Sequence, residues 1–461
     1  MSFKKYDGVI VGAGPAGIFT ALELAKSNQK ILLLDKGKSL EGRIKQGVRD
    51  AGSGWGGSGA YSDGKLNIST TAIGVRITDY MKEEDFVRLV LRADQIWVEY
   101  GAPKKLYGTD QRKIAMIEKS LKKTGLEIKV SPIRHIGTGR TFEVLGKMYD
   151  YLAQKMEIKF ETEVEEILVD EQKKVRGVRV KGGKEILASW VVMAPGRCGS
   201  GWFTGEVEKM GLKKIVHPVE IGVRVEVPAK VMKKVTDVLY EAKISYRTKT
   251  FDDFVRTFCM CPNGFVTDEV VGINGHPVIS VNGHTFSDRK SNNTNFALLV
   301  KNSFTQPFNQ PNLYGAYVTG LANLLSGGVL VQRLGDLLAG RRSTAERIKS
   351  GQVKPSLNTA VPGDLAFSLP YRHLSNLLEM LKEMDKLAPG IFSFDTLLYG
   401  NEVKFFSAGP SLSPCLETEI KNLFACGDGA GVSANLLHAA VTGLKVGEEI
   451  NKRFYEKYLE T

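Results

Sequence analysis

The chain has 461 residues, of which 43% are hydrophobic and 25% charged, and these proportions are ordinary for a globular enzyme. That length exceeds a single simple core and predicts two domains. No apolar run reaches the length of a membrane helix, so we expect no membrane partner and a cytoplasmic location.

The formal net charge of +12 raises the question of an acidic partner. The lysines are spread along predicted helices and turns, as in the pairs Lys104-Lys105 and Lys213-Lys214, and form no arm or block. Without a recognisable nucleic-acid-binding module, this distribution argues against a nucleic-acid partner. The charge could still attract anionic substrates. The five cysteines are an odd number, so we expect thiols rather than a disulfide framework.

The N-terminal segment has the pattern of a dinucleotide-binding unit. An apolar run from Val9 to Val11 predicts a strand buried on both faces, and a second run from Ile31 to Leu34 predicts another. Between them, the apolar spacing from Ile18 to Ala25 indicates a helix. Strand, glycine turn, helix, strand and the closing Asp35, in this order, are typical of a Rossmann unit.

The glycines of the turn have separate expected roles. Gly12 permits the tight turn, Gly14 lets the backbone approach a pyrophosphate, and Gly17 lets the helix pack closely on the strand. The phosphates would lie at the positive end of the helix. Asp35 is expected to accept both hydroxyls of an adenosine ribose, which argues against a bound 2′-phosphate. The residues of this segment expected to bind the cofactor are Gly12, Gly14, Pro15, Ala16, Gly17, Asp35, Lys36 and Arg43.

A second glycine-rich segment runs from Gly52 to Asn67. Its glycines alternate with Trp55, Tyr61 and Leu66, which is not the composition of a linker. Such glycine density lets a backbone pass close to a flat ligand, whereas the alternative is a flexible surface loop. We favour the ligand interpretation and expect contacts from Gly57, Ser58, Gly59 and Ala60.

The middle of the chain first shows helical periodicity and then short strands. Helices are predicted over Phe86 to Trp97, Ile114 to Leu121 and Phe142 to Leu152. Strands are predicted over Ile158 to Thr162, Glu165 to Val169 and Gly177 to Lys181, as a meander leading into a strand that starts at Trp190. The loop after that strand is expected to contact the cofactor through Ala194, Pro195 and Gly196, where the chain crosses to another domain.

From about Trp202 the pattern loosens. Strands such as Ile221 to Val227 and Val255 to Cys261 predict an antiparallel substrate domain of α+β type. Residues 341–362 have the composition of a linker, and Ser375 to Leu387 predicts an amphipathic helix that ends before Pro389.

Near the C-terminus, an apolar strand from Leu423 leads into Gly427-Asp428-Gly429. This segment resembles the terminal motif of glutathione-reductase-like flavoproteins, whose aspartate binds the ribityl hydroxyls. A helix is expected to open at Gly429 to Gly431, and its dipole would stabilise the negative charge of a reduced flavin. Because a flavin extends far beyond the dinucleotide half, the chain must return to hold it, and the separated motifs together predict FAD. The expected contacts here are Gly427, Asp428, Gly431 and Asn435.

We therefore predict an α/β fold, in which a Rossmann-like FAD-binding domain with a parallel sheet, a β-meander and helices carries an inserted α+β substrate domain. The FAD-binding domain is expected over residues 1–75, 131–200 and 391–461, with a helical segment at 76–130. The substrate domain is expected over 201–390, with its linker at 341–362.

Seven blocks spread over nearly the whole chain resemble a family of FAD-dependent dehydrogenases of bacteria and archaea, itself distantly similar to geranylgeranyl-reductase-like flavoproteins. They are Gly56–Leu66, Ile133–Thr138, Ile221–Pro228, Arg256–Pro262, Val281–His284, Asn295–Val300 and Tyr399–Val403. The resemblance implies FAD and a redox role but no substrate. The chain departs from the family in two places. Relatives often have cysteines just ahead of the glycine-rich segment, but no cysteine lies between Asp35 and Gly56 here. Lys404 stands where arginine is usual, which keeps the positive charge but loses the bidentate hydrogen bonding of a guanidinium.

The catalytic candidates each have a structural alternative. Cys259 and Cys261 share one face of a strand, where a disulfide would be strained, and no further Cys or His at ligand spacing suggests a metal site. Glu402 and Lys404 could form an ion pair, bind a substrate carboxylate or supply a proton. His438 could be a structural histidine or act beside the flavin. The full set of candidates is Glu402, Lys404, His438, Lys65, Arg256 and Cys259.

The expected function is that of an FAD-dependent oxidoreductase that passes hydride through flavin N5 to or from a small-molecule substrate. Gly196 to Gly201 is too compact for a second nucleotide fingerprint, so NAD(P)H would bind transiently, or electrons would come from ferredoxin or the substrate. The open alternatives are a reductase of carbon–carbon double bonds in an apolar substrate, an FAD-bound protein that binds or modifies RNA, and a protein that holds FAD only structurally.

Overall fold

The structure is a computed structural model that describes residues 5–46, 52–69, 77–122, 124–137, 139–273, 276–286 and 289–459. Its helices are α1 (Pro15–Leu24), α2 (Leu40–Gln46), α3 (Glu83–Glu99), α4 (Gln111–Leu121), α5 (Arg140–Ala153), α6 (Gly196–Lys209), α7 (Ala229–Leu239), α8 (Pro311–Ser326), α9 (Leu334–Leu338), α10 (Ala345–Ser350), α11 (Tyr371–Leu387) and α12 (Leu436–Leu459).

The strands, in chain order, are β1 (Lys5–Val11), β2 (Ile31–Leu34), β3 (Lys65–Asn67), β4 (Leu126–Lys129), β5 (Ile133–His135), β6 (Glu157–Lys159), β7 (Val164–Val169), β8 (Val175–Val180), β9 (Glu185–Met193), β10 (Lys214–Ile215), β11 (Glu220–Pro228), β12 (Lys243–Arg247), β13 (Phe254–Cys261), β14 (Phe265–Ile273), β15 (His276–His284), β16 (Asn293–Lys301), β17 (Leu330–Arg333), β18 (Val361–Pro362), β19 (Leu397–Lys404), β20 (Gly409–Pro410) and β21 (Leu423–Ala425).

The chain forms two compact units. The first contains Met1–Lys105, Arg134–His217 and Ser407–Thr461, and the second contains Leu106–Ile133 and Pro218–Phe406. Residues 391–406, which we expected in the FAD-binding domain, lie in the second unit, because β19 pairs with β11 and β17 there. The fold is mixed α/β with a Rossmann-like unit, as predicted.

The first unit is built on a sheet with the strand order β6-β2-β1-β9-β8-β7, and β21 adds to β9. β1 pairs in parallel with β2 and β9, so the apolar runs at Val9 and Leu32 are completely buried, as is usual for central parallel strands. The expected meander consists of β7, β8 and β9. β6, which we placed in that meander, instead pairs in parallel with β2.

Two helices of the first unit, α1 and α12, come from opposite ends of the chain and pack closely. A side-chain carbon at Gly443 would lie 2.1 Å from the carbonyl oxygen of Ala16, so only glycine allows this approach. α12 begins at Leu436 and not at Gly431, where we expected its start. A 3-10 turn over Asp428–Ala430 comes first, and it closes at Gly431 with a φ of 75° that an α-helix cannot continue.

The second unit contains a sheet with the order β18-β17-β19-β11-β16-β13-β12-β4 and a separate hairpin of β14 and β15. Alternate residues of β11 point to opposite faces. Ile221, Val223 and Val225 pack in an apolar core with residues of α7 and α11. Glu220 and Arg224 lie on the other face and are also buried, so that face carries buried charges.

The segment 341–362 differs from the expected linker, because it contains α10 and β18. Ile348, Val353 and Leu357 are buried in a small core with Val331 and Tyr399. Among the residues that the structure describes, no helix is long and apolar enough to cross a membrane.

Candidate cofactor site

A cavity of about 330 Å³ lies within the first unit, and segments from six parts of the chain line it. Its volume falls in the range of small-molecule sites. The expected cofactor residues that line it are Gly12, Gly14, Pro15, Ala16, Asp35, Lys36, Gly57, Ser58, Gly59, Ala194, Pro195, Gly196, Gly427, Asp428 and Asn435. Of the other four, Gly17, Ala60 and Gly431 belong to or close elements that contribute lining residues, whereas Arg43 lies on α2, which contributes none.

The three fingerprint glycines differ in what surrounds them. A side-chain carbon at Gly12 would lie 2.1 Å from the carbonyl oxygen of Ala194, and one at Gly17 would lie 1.9 Å from that of Gly12. A carbon at Gly14 would meet nothing closer than the Cα of Gly57, at 4.0 Å, and the Gly14 φ of −80° suits any residue. Gly12 and Gly17 are therefore required by packing, whereas the missing side chain of Gly14 leaves room in the cavity.

The N-terminus of α1 opens at this point. No side chain caps the helix, and Pro15 in its first turn has no N–H to satisfy. The next backbone N–H groups are thus available to an anion, and the helix dipole favours negative charge there. The arrangement fits a pyrophosphate.

Asp35 holds the cavity wall together. One carboxylate oxygen accepts the N–H of Ala13 at 2.8 Å, and the other accepts those of Gly37 at 2.8 Å and Gly54 at 2.7 Å. The side chain therefore links the turn after β1 to the glycine-rich segment, a role that the sequence did not show. Binding of a ribose by Asp35 stays a prediction.

The glycine-rich segment is packed in place. Trp55 is completely buried, and its indole N–H donates to the carbonyl of Leu145 at 2.8 Å. The Nη1 of Arg43, a buried side chain, donates to the carbonyls of Trp55 at 2.6 Å and Gly57 at 2.9 Å. Arg43 thereby orients the backbone of the 3-10 turn Gly57–Tyr61, three residues of which line the cavity.

The return segment brings Asp428 to the cavity together with an arginine that we did not identify from the sequence. The Nε of Arg197 donates to Asp428 Oδ2 at 3.2 Å, and the Ser433 hydroxyl donates to Oδ1. Arg197 lies in the first turn of α6 and lines the same cavity. Its position directly after the predicted contact Gly196 was the available signal.

Two of the six catalytic candidates lie in the first unit. Lys65 forms an ion pair with Asp63 at 3.0 Å, and both side chains are largely buried. Burial lowers the pKa of the nearby His135, with Asp63 opposing this shift and Lys65 adding to it. The ring of His438 packs edge-on against Phe86 at 5.3 Å and is 2% exposed. This environment is that of a packed side chain, although Asn435, directly before the first residue of that helix, lines the cavity.

The other four candidates lie in the second unit. Both carboxylate oxygens of Glu402 accept hydrogen bonds from Arg224, at 2.7 and 2.8 Å. Arg256 forms a similar pair with Glu220, at 2.9 and 2.5 Å. Burial acts to raise the pKa of Glu220, but the Arg256 guanidinium holds it below the usual value.

Lys404 and Cys259 lie on the charged face of the same sheet. The ammonium of Lys404 lies 3.7 Å from the ring centre of Phe258, and the Arg256 guanidinium lies 5.0 Å from that centre. Cys259 has a φ of 44°, which is rare for a residue other than glycine, at an irregularity in the pairing of β13 with β16. All five cysteines are thiols.

Comparison with known proteins gave two matches to family models. Residues 218–404 match "FAD-dependent protein, C-terminal domain-like", and residues 10–63 match "NAD(P)-binding Rossmann-like domain". An "Uncharacterized protein" of Clostridium beijerinckii is 28% identical over 484 aligned positions, covering 98% of this chain and 81% of its own.

Solved structures give only remote likenesses. L-proline dehydrogenase from P. horikoshii is 13% identical with a TM-score of 0.43, covering 98% of this chain and 95% of its own. A 3-ketosteroid dehydrogenase from Rhodococcus jostii RHA1 is 13% identical with a TM-score of 0.45, covering 96% of each chain. We infer no substrate from them. On the family matches, this chain is an FAD-dependent flavoprotein.

Proposed function

We propose that this chain is an oxidoreductase that passes hydride between FAD, held in the cavity of the first unit, and a small-molecule substrate. The observation that carries the proposal is the cavity itself. The dinucleotide turn, the Gly57–Tyr61 turn, the loop after β9 and the Asp428 segment all line it. FAD, when bound, supplies a group that accepts or donates two electrons as hydride at N5.

Each part of the cavity suits one part of the cofactor. We propose that the N-terminus of α1 and the open side of Gly14 hold the pyrophosphate. Asp35 and Lys36 would hold the adenosine ribose, and Asp428 the ribityl hydroxyls. Arg197 adds a positive charge next to Asp428, where it would offset the charge of the pyrophosphate.

Lys65 and His135 are our candidates for moving a proton. Ser62, which lines the cavity, lies three residues before Lys65 in the chain. The Asp63 carboxylate holds the Lys65 ammonium, and His135, with its lowered pKa, is neutral near pH 7 and able to accept a proton. This assignment replaces His438, whose surroundings favour packing.

For the second unit, we propose that Lys404 contacts an anionic group of the substrate. Its ammonium lies over the Phe258 ring, with a second aromatic ring, that of Phe406, at 5.3 Å. Arg256 and Glu402, each in a buried ion pair on this sheet, would position Lys404. Cys259 stays a candidate through its strained backbone alone.

The seven sequence blocks support membership in the family of FAD-dependent dehydrogenases of bacteria and archaea, with distant similarity to geranylgeranyl-reductase-like proteins. Electrons would come from the substrate, from ferredoxin or from transiently bound NAD(P)H. Gly196 and Gly199 line the FAD cavity, which supports the absence of a second nucleotide site in that segment. We also propose a cytoplasmic location.

The test is anaerobic reduction of the bound flavin, monitored through the absorbance of the flavin. NADH, NADPH, reduced ferredoxin and small carboxylates are offered in turn, and one of them is expected to bleach the flavin. Lys65→Met should retain FAD and slow this step by about a hundredfold or more, the scale for a positioned acid–base group. The control Lys233→Met removes a lysine that is 68% exposed in its side chain and should change nothing.

The outcomes separate the alternatives. Reoxidation of the reduced flavin only by apolar unsaturated compounds would favour a double-bond reductase. A flavin that no donor reduces would indicate a structural cofactor and contradict the proposed activity. Loss of FAD from Lys65→Met would show that Lys65 supports the fold and does not act in turnover.

A further inference from the structure

The helix α8 of the second unit has its large apolar side chains outside and its small ones inside. Gly315, Ala316, Thr319 and Ala322 are buried. Tyr317, Leu321, Leu324 and Leu325 are 65%, 45%, 81% and 50% exposed. A helix that is apolar on all sides is normally buried, so a partner is expected to cover this face.

The exposed side chains follow a regular spacing. Tyr317, Leu321 and Leu324 are separated by four and three residues, which places them along one stripe of the helix, and the half-buried Tyr314, three residues before Tyr317, lies at the edge of this stripe. This spacing is typical of helices that pack side by side in pairs. Phe304 and Phe308 extend the stripe beyond the start of α8, because the Phe304 ring packs against Tyr314 at 5.1 Å and against Phe308 at 4.8 Å.

The segment also lacks charge. No residue from 302 to 332 is Asp, Glu, Lys, Arg or His, although the chain as a whole carries a net charge of +12. Two copies of so basic a chain repel each other unless they meet at an uncharged surface. Helices that lie on membranes usually carry Lys and Arg on their polar face, and α8 has none.

We propose that this stripe, formed by Phe304, Phe308, Tyr314, Tyr317, Leu321, Leu324 and Leu325, binds the same stripe of a second copy of the chain. Such a contact is self-complementary, because each copy presents the same apolar patch about a twofold axis. Taking about 200 Å² for each large side chain, the patch offers on the order of 600 Å² per copy, near the ~800 Å² of a standard interface. The composition, aromatic and free of charged residues, is that of an interface centre.

The test uses the full-length, FAD-loaded protein in sedimentation velocity from 1 to 100 µM (about the range that separates micromolar dimers from monomers). The wild type is expected to sediment as a dimer of the 50.7 kDa chain. The double variant Leu321→Glu, Leu324→Glu places carboxylates in the contact and should weaken dimerisation by at least about a hundredfold.

The control Met116→Glu makes the same kind of change on α4, where Met116 is 70% exposed, and should leave the dimer intact. Flavin content and melting temperature, measured on all three proteins, show that the variants fold. A monomeric wild type, or a dimer that survives the double variant, would overturn the proposal. So would a monomer that binds phosphatidylglycerol vesicles through Leu321 and Leu324, since the stripe would then be a membrane contact.

Discussion

Replacing Glu402 by Gln tests whether this side chain acts in turnover or in folding. If Glu402 acted on the substrate, one of the roles left open by the sequence, the variant would be expected to keep its melting temperature and lose activity. The structure reverses the first expectation, because Arg224 is completely buried and Glu402 accepts both of its guanidinium hydrogen bonds. Glutamine keeps the size but leaves the buried positive charge without its counter-charge.

The size of the effect follows from that geometry. Removing one partner of a buried ion pair costs about 3–5 kcal/mol, and glutamine can still accept one hydrogen bond, so we expect about 3 kcal/mol. For a unit of this size, 1 kcal/mol shifts the melting temperature by about 2–4 °C, so the expected drop is about 6–12 °C. Arg224→Met combined with Glu402→Leu removes both charges and should recover much of the loss.

Differential scanning calorimetry of the FAD-loaded protein measures the shift. Glu127→Gln is the matched control, because Glu127 is exposed on β4 of the same sheet, and it should stay within about 0.5 kcal/mol of the wild type. The reasoning would be refuted if Glu402→Gln kept its melting temperature while flavin reduction slowed a hundredfold. That result would give the carboxylate a direct role on the substrate.

Three further results are expected. Gly14→Val should fold, because only the Gly57 Cα comes within 4.0 Å of the new carbon, but its flavin fluorescence should show FAD binding weakened at least about a hundredfold by the loss of charged hydrogen bonds. The control Gly205→Ala, in equally open space on α6, should bind FAD normally. Full FAD occupancy of Gly14→Val would contradict the proposed pyrophosphate position. Arg197→Gln should weaken FAD binding and reduce its dependence on salt, and an unchanged salt dependence would mean that Arg197 serves only Asp428. Burial lowers the pKa of His373 from 6.5 to about 4, so its neutral form contributes stability that is complete above pH 6.5 and lost as the pH falls toward 4, up to about 3 kcal/mol. Between pH 7 and 4.5, urea unfolding should show that His373→Leu loses less free energy of unfolding than the wild type does. Equal losses in the two proteins would refute the assignment.

The predictable parts of the site are those that depend on the spacing of residues close together in the sequence. The glycines, Asp35 and Asp428 all follow buried strands, and a strand followed by a turn is visible in the sequence. The buried ion pairs were not predictable, because Arg224 and Glu402 are 178 residues apart and meet only through the pairing of β11 with β19. The same holds for Arg197 and Asp428, which are 231 residues apart.

Two local features were also misread for physical reasons. Residues 341–362 have the polar, Gly- and Pro-containing composition of a linker, yet three well-spaced apolar side chains anchor the segment in a core. The start of α12 was misplaced because glycines after a strand suit either a helix N-terminus or a closed turn. The left-handed conformation of Gly431 decides between them, and composition does not reveal it.

The pairing of α1 with α12 has a consequence for the order of events during synthesis. The ribosome makes β1 and α1 first, whereas β21 and α12 leave it last. The part of the cavity lined by Gly427, Asp428 and Leu436 is therefore missing while the nearly four hundred residues between α1 and β21 are made. FAD binding therefore distinguishes chains that include β21 from chains that stop before it, because a nascent chain stalled before Leu423 lacks Asp428 and the strand that carries it to β9.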